Sequence, residues 1–431
     1  MSITALIYLL LYVGGLAAAL LKRPIYGLYV YSLSFYAYAP GRWWGSSLPD
    51  IRWAYIAALV TLVSIIIKKQ EKIYFSFFEN KLFIVFFLYV LLQTILIDSN
   101  NHHMIYVILL MKFVMLIFII QNVIENEKDL INYILSNLIG CAYLGYLGYT
   151  MHTSGRLEAV GTPGLDSANQ LAQHLGAVLV FSSFLLLIDI GKMKIIVIIC
   201  LMFVLNAILL TESRGVLLAL AATGIVSTSF IPSKSRKAFI PYLILGFVAA
   251  SFLIGPQMIE RMSSLNKADN VEELDKSAAS RFDIISAQFE MFKDSPLFGY
   301  GHKGTMILSQ DYISEEFLTT VNGSASRASH NVSMALLVDH GLIGAGIYFL
   351  IIFSCIKKGF RLSLIKDSKA SDSLKLLFSG LVLSLLFFIV AGQTSNNKVL
   401  ELDIWLYALI PLVYHWIKTN KDSKPGELND N

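Results

Sequence analysis

Charged residues are scarce in this chain. They make up 15% of its 431 residues, whereas hydrophobic residues make up 56%. Soluble domains carry about 25% charged residues, so the composition excludes a soluble globular protein. Apolar runs of about 17–22 residues, each long enough to cross a bilayer, recur along the whole length. The sequence therefore predicts an all-α fold, a polytopic bundle of about 12 to 13 transmembrane helices.

Cysteines and nucleotide-binding motifs are also lacking. The three cysteines, Cys141, Cys200 and Cys355, all lie in apolar runs, which is typical of small core residues and not of disulfides or metal ligands. No GxGxxG or Walker motif is present, which excludes those nucleotide-binding domains, and no internal repeat is visible. We therefore expect no cofactor and no metal, and any transferred group must arrive already activated. The net charge of +4 reflects loop topology and does not indicate a nucleic-acid partner.

Lysine and arginine are distributed unevenly between the connections of the predicted spans. With the N-terminus outside, the inside connections hold about 21 of them and the short outside connections about five, as the positive-inside rule requires. The second span is short, and a re-entrant segment there is an alternative. The predicted spans are 3–21, 24–39, 52–67, 82–97, 104–121, 131–150, 169–190, 193–210, 215–230, 239–256, 331–355, 374–391 and 402–417.

One long polar segment interrupts the spans, and the orientation above places it outside. We predict transmembrane helices over residues 1–256, a large outside loop over 257–330, further transmembrane helices over 331–417 and a disordered tail over 418–431. Most of the unusual polar residues lie in or beside the loop. We therefore expect a functional site at the outer membrane face.

The run TESRG places Arg214 where one span ends outside and the next begins. An arginine at this depth is costly to bury, so it should face a polar cavity or a partner. Its planar guanidinium suits a phosphate or diphosphate, which it can bind with two parallel hydrogen bonds. An interfacial arginine paired with Glu212 is an equally good interpretation.

Residues 277–301 contain an amphipathic helix outside the membrane, which could lie over the spans as a lid. Its predicted apolar face consists of Phe282, Ile285, Phe289 and Phe292. Ser280 is the expected N-cap, and Asp294 begins the turn DSPLFGYG that ends the helix. Arg281 would lie in the first turn, where a cation opposes the helix dipole and needs another reason to be there. An anionic ligand is one reason; a salt bridge with Asp283 or Glu260 is the other.

The run ASHNVSMALLVDHG begins the next span. Ser329 is its expected N-cap, which would put His330 in the first turn, where the dipole favours the neutral imidazole that a general base needs. A purely structural histidine is the alternative. Asp339 lies deeper, and a carboxylate within a span is a functional candidate unless it serves to orient neighbouring helices. The adjacent pair His102 and His103 is a poor chelate, because neighbouring side chains diverge.

Several of these motifs, in this order, resemble the O-antigen ligase and polymerase superfamily of integral-membrane glycosyltransferases. The resemblance covers about residues 150–355, and one departure is Asp339, where many members carry Glu. The residues that carry it are Arg156 with Asn169-Gln-Leu-Ala172, Ser213-Arg214-Gly215, Arg281 before Asp294-Ser-Pro-Leu-Phe-Gly-Tyr-Gly301, His330-Asn331, and Asp339-His-Gly-Leu-Ile-Gly344.

The resemblance implies a GT-C-type fold in the bacterial inner membrane, with the active site facing the periplasm. It implies an undecaprenyl-diphosphate-linked glycan as donor and a metal-independent, inverting transfer. By matching positions, Arg214 and Arg281 would engage the donor diphosphate, and His330 would activate the acceptor hydroxyl. The second-rank substrate-binding candidates are Arg156, His302, Arg327, Asn331 and Asp339.

Several functions share this donor chemistry. A ligase would move the glycan to a lipid A-core or similar acceptor, a polymerase to a second lipid-linked repeat, and a protein O-oligosaccharyltransferase to Ser or Thr. A transporter for a lipid-linked saccharide is the alternative from another class, and an inverted repeat with polar residues at the midplane would favour it. For the enzyme, we expect Arg214, Arg281 and His330 to converge within about 10–12 Å on one outward-facing cavity.

Overall fold

The computed structural model describes residues 1–68, 75–97, 101–231, 233–253, 276–321, 324–362, 370–396, 398 and 400–419. The predicted tail from residue 420 onward, the first part of the predicted loop (257–275) and Glu260 therefore lie outside the described residues.

Helices account for most of the described chain. In order, they are α1 (Ile3–Leu21), α2 (Ile25–Ala37), α3 (Trp53–Ile67), α4 (Phe78–Leu96), α5 (Asn101–Val123), α6 (Glu127–Met151), α7 (Ala168–Ser183), α8 (Met193–Leu210), α9 (Arg214–Phe230), α10 (Ser233–Leu253), α11 (Lys276–Asp294), α12 (Gly304–Ile307), α13 (Ser309–Tyr312), α14 (Val332–Leu362), α15 (Asp372–Gly392) and α16 (Leu402–Thr419). Between α13 and α14, β1 (Thr319–Val321) and β2 (Ser324–Ser326) form an antiparallel hairpin with Thr319 opposite Ser326.

The all-α prediction is confirmed, since each predicted span falls on one of these helices, with only the end of the tenth span outside the described residues. Eight helices of the described chain are long and apolar enough to cross a membrane. They are α1, α4, α5, α6, α7 with the 3-10 turn that follows it, α8, α14 and α15. Two further apolar helices, α3 and α9, are shorter. The chain is a multi-pass membrane protein.

Burial differs sharply between the inner and outer helices of the bundle. α15 buries residues on nearly all its faces, so it lies at the centre. α1 buries only four residues and exposes large apolar side chains such as Ile3, Leu10 and Leu21. Lipid tails are as apolar as these side chains, so a peripheral span has no need to bury them.

Contacts between connections separate the two ends of the bundle. At one end, Arg23 binds Asp129 at 2.6 Å, and Ser371 binds Glu127 at 2.7 Å. These are connections that the lysine and arginine distribution places inside. At the other end, Arg42 reaches from the α2–α3 connection to the carbonyl of Val160 before α7. The outside connections thus also contact one another, as alternating spans require.

Candidate active site

α14 is broken at Gly341, whose backbone (φ 60°, ψ −170°) lies outside the helical region. The turn after α11 completes the broken hydrogen-bond pattern. The amides of Tyr300 and Gly301 donate to the carbonyls of Val338 and Asp339, at 2.9 and 2.7 Å, and the amide of Leu342 donates to the carbonyl of Pro296 at 2.8 Å. A Cβ on Gly341 would lie 2.2 Å from the carbonyl oxygen of Leu297. The DSPLFGYG and DHGLIG motifs are therefore two halves of one packed element.

Asp339 lies at the centre of this element and is 2% exposed. Its carboxylate binds the ammonium of Lys398 at 2.5 Å and the amide of Gly304 at 2.9 Å. The Nδ1 of His302 lies 3.7 Å from the same carboxylate, and the His302 ring stacks on Tyr106 at 4.1 Å between centroids. Burial, followed by nearby lysines, lowers the pKa of His302 well below its usual value, so the ring is neutral.

Asp339 and His302 are two of the second-rank substrate-binding candidates, and both lie inside this packed element. Lys398 and the amides of Lys303 and Gly304 bind Asp339, and the His302 ring is stacked on Tyr106 inside the packed element. Asp339 also lies eight residues beyond Asn331, or about 12 Å along the helix. Their contacts correspond to the helix-orienting alternative considered for Asp339, since they fix the turn after α11 to the span that follows.

His330 and Arg281 line one open pocket of about 220 Å³. The other residues that line it are Ile284, Ile285, Gln288, Asn331 and Gln393. Burial, together with the positive charges of Arg327 and Arg281, lowers the pKa of His330 to about 4. The imidazole is thus neutral at physiological pH and lies in the field of two arginines. A neutral base beside a cationic wall suits a reaction in which an anionic leaving group departs next to a hydroxyl that loses its proton.

The cap of α14 differs from the prediction. The side chain of Asn331, and not that of Ser329, accepts from the amide of Met334 at 2.9 Å, so Asn331 is the N-cap. Ser329 as N-cap was wrong because two good capping residues stand two positions apart and the sequence pattern does not choose between them. His330 therefore precedes the helix, and its neutrality follows from burial and the two arginines. Asn331 also donates from Nδ2 to the carbonyl of Gln393 at 3.3 Å.

A helix over this segment is confirmed, but only part of its predicted apolar face is packed: Phe292 contacts the buried cluster, whereas Phe282 and Phe289 are exposed. α11 begins at Lys276, so Ser280 lies inside it and is not its N-cap. The residues buried towards α14 are Ile284, Ala287 and Met291, whereas Phe282 is 71% exposed and Phe289 47% exposed. The helix is apolar on two sides, and the pattern favoured the one with the larger side chains. Arg281, Ile285 and Gln288 lie between the two sides and face the pocket.

The turn between α8 and α9 is held by Arg156. Its Nε donates to the carbonyl of Thr211 at 2.7 Å, and a terminal nitrogen donates to Oδ1 of Asn169 at 2.6 Å. Asn169 also accepts from the hydroxyl of Ser213 at 2.9 Å. In this structure Arg156 thus supports the turn that presents Arg214.

Arg214 is the first residue of α9. Its neighbour Gly215 packs against Thr394, since a Cβ there would lie 2.0 Å from the Thr394 hydroxyl oxygen. Thr394 follows Gln393, which lines the pocket beside Asn331. The N-terminus of α9, which is the positive end of its helix dipole, therefore contacts Thr394, and Thr394 is next in sequence to the pocket residue Gln393.

The structure thus groups the predicted residues by location. Arg281, His330 and Asn331 line the pocket, and Arg214 begins the neighbouring helix. Arg327 acts electrostatically on His330 while one terminal nitrogen donates to the Thr319 hydroxyl at 2.9 Å.

Three residues at this end of the bundle were missed. Gln288 and Gln393 line the pocket, and Lys398 binds Asp339. No sequence signal marks Gln288, because a glutamine is an ordinary residue in an amphipathic helix. In the sequence, Lys398 contributes only to the count of positive charges that orients the spans. A lone lysine between two apolar helices also predicts a carboxylate partner nearby.

One family model matches this chain, over residues 197–349, and its description is O-antigen ligase. The match covers about a third of the chain and includes Arg214, Arg281, His330 and the packed element around Asp339. No curated protein matches the chain. The match supports the resemblance inferred from the motifs: residues 197–349 are similar to the O-antigen ligase family.

Proposed function

We propose that this protein is an O-antigen ligase-like glycosyltransferase. It transfers a glycan from undecaprenyl diphosphate to a lipid A-core or similar acceptor at the periplasmic face of the inner membrane, with inversion and without a metal. The observation that carries the proposal is the shared pocket of Arg281 and His330, beside the start of the helix that bears Arg214.

The reaction needs a base and a stabilised leaving group. His330 takes the proton of the acceptor hydroxyl as its oxygen attacks the anomeric carbon of the donor sugar. The bond from that carbon to the diphosphate oxygen breaks, and undecaprenyl diphosphate leaves with the electron pair. Attack opposite the leaving group inverts the anomeric configuration.

Charge is the second part of the mechanism. Diphosphate is a good leaving group, and the guanidinium groups of Arg281 and Arg214 can neutralise the charge that develops on it. In the free protein, Arg327 and Arg281 lower the pKa of His330. Bound diphosphate would partly compensate the positive charges of these two arginines. Donor binding then raises the basicity of His330 when it is needed.

The test is a transfer assay with purified protein and an undecaprenyl-diphosphate glycan in EDTA. Three acceptors are supplied separately: lipid A-core, a second lipid-linked repeat, and a Ser/Thr-rich peptide. Product with lipid A-core supports the ligase. Product with the repeat or the peptide assigns the polymerase or the protein O-oligosaccharyltransferase instead.

A fourth outcome would reject the enzyme. If no acceptor gives product while the folded protein moves the lipid-linked donor across liposomes, the transporter alternative replaces this proposal. His330→Ala is the internal control, because a transporter would tolerate the loss of a general base far better than a transferase.

A further inference from the structure

Gln288 lies on α11 in the wall of the pocket that holds Arg281 and His330, and its side chain is fully buried. Most buried polar groups in proteins are fully hydrogen-bonded. A glutamine amide offers two donor hydrogens on its nitrogen and an acceptor oxygen. The contacts of these two ends determine what the residue can do.

The nitrogen end is fully used. Nε2 donates to the hydroxyl of Ser329 at 2.8 Å and to the hydroxyl of Thr305 at 2.9 Å. The hydroxyl of Ser329 donates its own proton to the carbonyl of Asn331 at 2.8 Å, so it must accept from Gln288. In this arrangement the amide nitrogen, and not the oxygen, meets the two hydroxyls.

The oxygen end is buried and has no hydrogen-bond partner among the described residues. It can only accept, so its ligand group must be a donor. The nearby guanidinium of Arg281 disfavours an ammonium and favours a neutral donor, of which the hydroxyl is the commonest on a sugar. Ile284 and Ile285 line the same pocket and offer apolar surface for the C–H face of a sugar ring.

We propose that the side-chain oxygen of Gln288 binds a sugar hydroxyl of the substrate beside His330, which makes Gln288 a substrate-binding residue that selects the glycan. This inference rests on the proposed function. Ser329, which Gln288 holds, directly precedes His330, so the amide lies close to the base in space. The hydroxyl can belong to the acceptor sugar or to the donor sugar.

The experiment compares Gln288→Met with the wild type in the transfer assay, with the undecaprenyl-diphosphate glycan as donor and the acceptor that gave product. Methionine keeps the length and removes the acceptor oxygen together with the amide nitrogen that binds Ser329 and Thr305. A lost hydrogen bond in a buried site predicts a roughly tenfold increase in one Michaelis constant. An increase for the acceptor assigns the hydroxyl to the acceptor sugar, and an increase for the donor assigns it to the donor sugar.

Thr305→Val is the matched control. It removes one partner of the amide nitrogen, but Ser329 still holds the Gln288 side chain and leaves its oxygen in place. We expect both Michaelis constants to stay within about twofold of the wild type. If Thr305→Val raises a Michaelis constant as much as Gln288→Met does, the effect comes from loosened packing and the inference is wrong.

Failure of the inference and failure of the proposed function are distinguishable. Wild-type protein that transfers no glycan rejects the function. Wild-type protein that transfers glycan while Gln288→Met keeps both Michaelis constants rejects only the subsite, and shows that the oxygen needs no substrate hydroxyl.

Discussion

The ammonium nitrogen of Lys398 lies 2.5 Å from the carboxylate of Asp339, and both side chains are almost completely buried. Lys398 comes from the connection between α15 and α16, whereas Asp339 lies on α14 just before its break. The pair thus joins the last part of the bundle to the element formed by the turn after α11.

Loss of Lys398 should therefore destabilise the protein strongly. Lys398→Met leaves the Asp339 carboxylate buried without its cation, and removal of one partner of a buried pair costs about 3–5 kcal/mol. Unfolding of the protein in detergent measures the loss. Lys293→Met is the control, because Lys293 and Glu290 form an exposed pair at 2.8 Å worth at most about 1 kcal/mol. The additional variant Asp339→Asn in the Lys398→Met background should recover part of the stability; equal losses for Lys398→Met and Lys293→Met would contradict this role.

The backbone at Gly341 should tolerate no side chain. Gly341→Ala introduces a Cβ 2.2 Å from the carbonyl oxygen of Leu297 in a backbone region (φ 60°, ψ −170°) that is essentially restricted to glycine and costs other residues about 1–3 kcal/mol before the clash. We expect a large fall in unfolding temperature. Gly346→Ala, further along α14, meets nothing within 4 Å and should be neutral or stabilising by up to about 1 kcal/mol. A similar response at the two glycines would show that the break is not required.

Substitution of His330 should remove transfer without unfolding the protein. His330→Ala deletes the only group that we assign as base, and general-base catalysis contributes about 10²–10⁴-fold in rate. Initial rates of glycan transfer, with size-exclusion profiles as the folding control, test this. Retained activity would show that His330 is not the base.

Activity should depend on pH through His330 in two different ways. Because burial and the arginines lower its pKa to about 4, the free protein keeps a neutral base down to that pH. The acid limb of kcat/KM, which reports the free protein, should therefore lie near pH 4. Bound diphosphate offsets the arginines, so the acid limb of kcat should lie at higher pH. Coincident limbs would mean that the donor does not neutralise the charges around His330.

Arg281 should require its guanidinium, and not merely a positive charge. Arg281→Lys keeps the charge but loses the planar pair of donors that matches a diphosphate, so we expect a fall in kcat of about 10- to 100-fold. Arg236→Lys at the opposite end of the bundle, where Arg236 Nε donates to the carbonyl of Ile231, should leave transfer unchanged. Transfer rates of the two variants at saturating donor concentration test this prediction.

The spans and their alternation were predictable, because membrane-spanning helices are marked by length, hydropathy and the placement of lysine and arginine within single stretches of chain. The pocket was only partly predictable. Arg281 and His330 stood out as polar residues in special places, whereas Gln393 comes from a turn more than 60 residues further on. No local pattern links such distant residues.

Two local errors have physical causes. α11 carries apolar residues on two sides, so periodicity alone could not say which side packs against α14. Ser329 and Asn331 are both good caps, and the choice between them depends on Gln288, which engages the Ser329 hydroxyl. In both cases the sequence pattern favours two alternatives equally, two sides of α11 or two N-caps of α14, and a tertiary contact determines which one is used.

The hydrogen bonds between residues 296–301 and the break in α14 also determine which segments of the chain can be exchanged between related proteins. A graft that brings in only the outer loop would place foreign amides against carbonyls of a span with a different bend. A chimera should therefore carry the turn after α11 and the first half of α14 together, with its junctions in α10 and beyond Gly346. The unit that has to stay together therefore does not coincide with the boundary between loop and span.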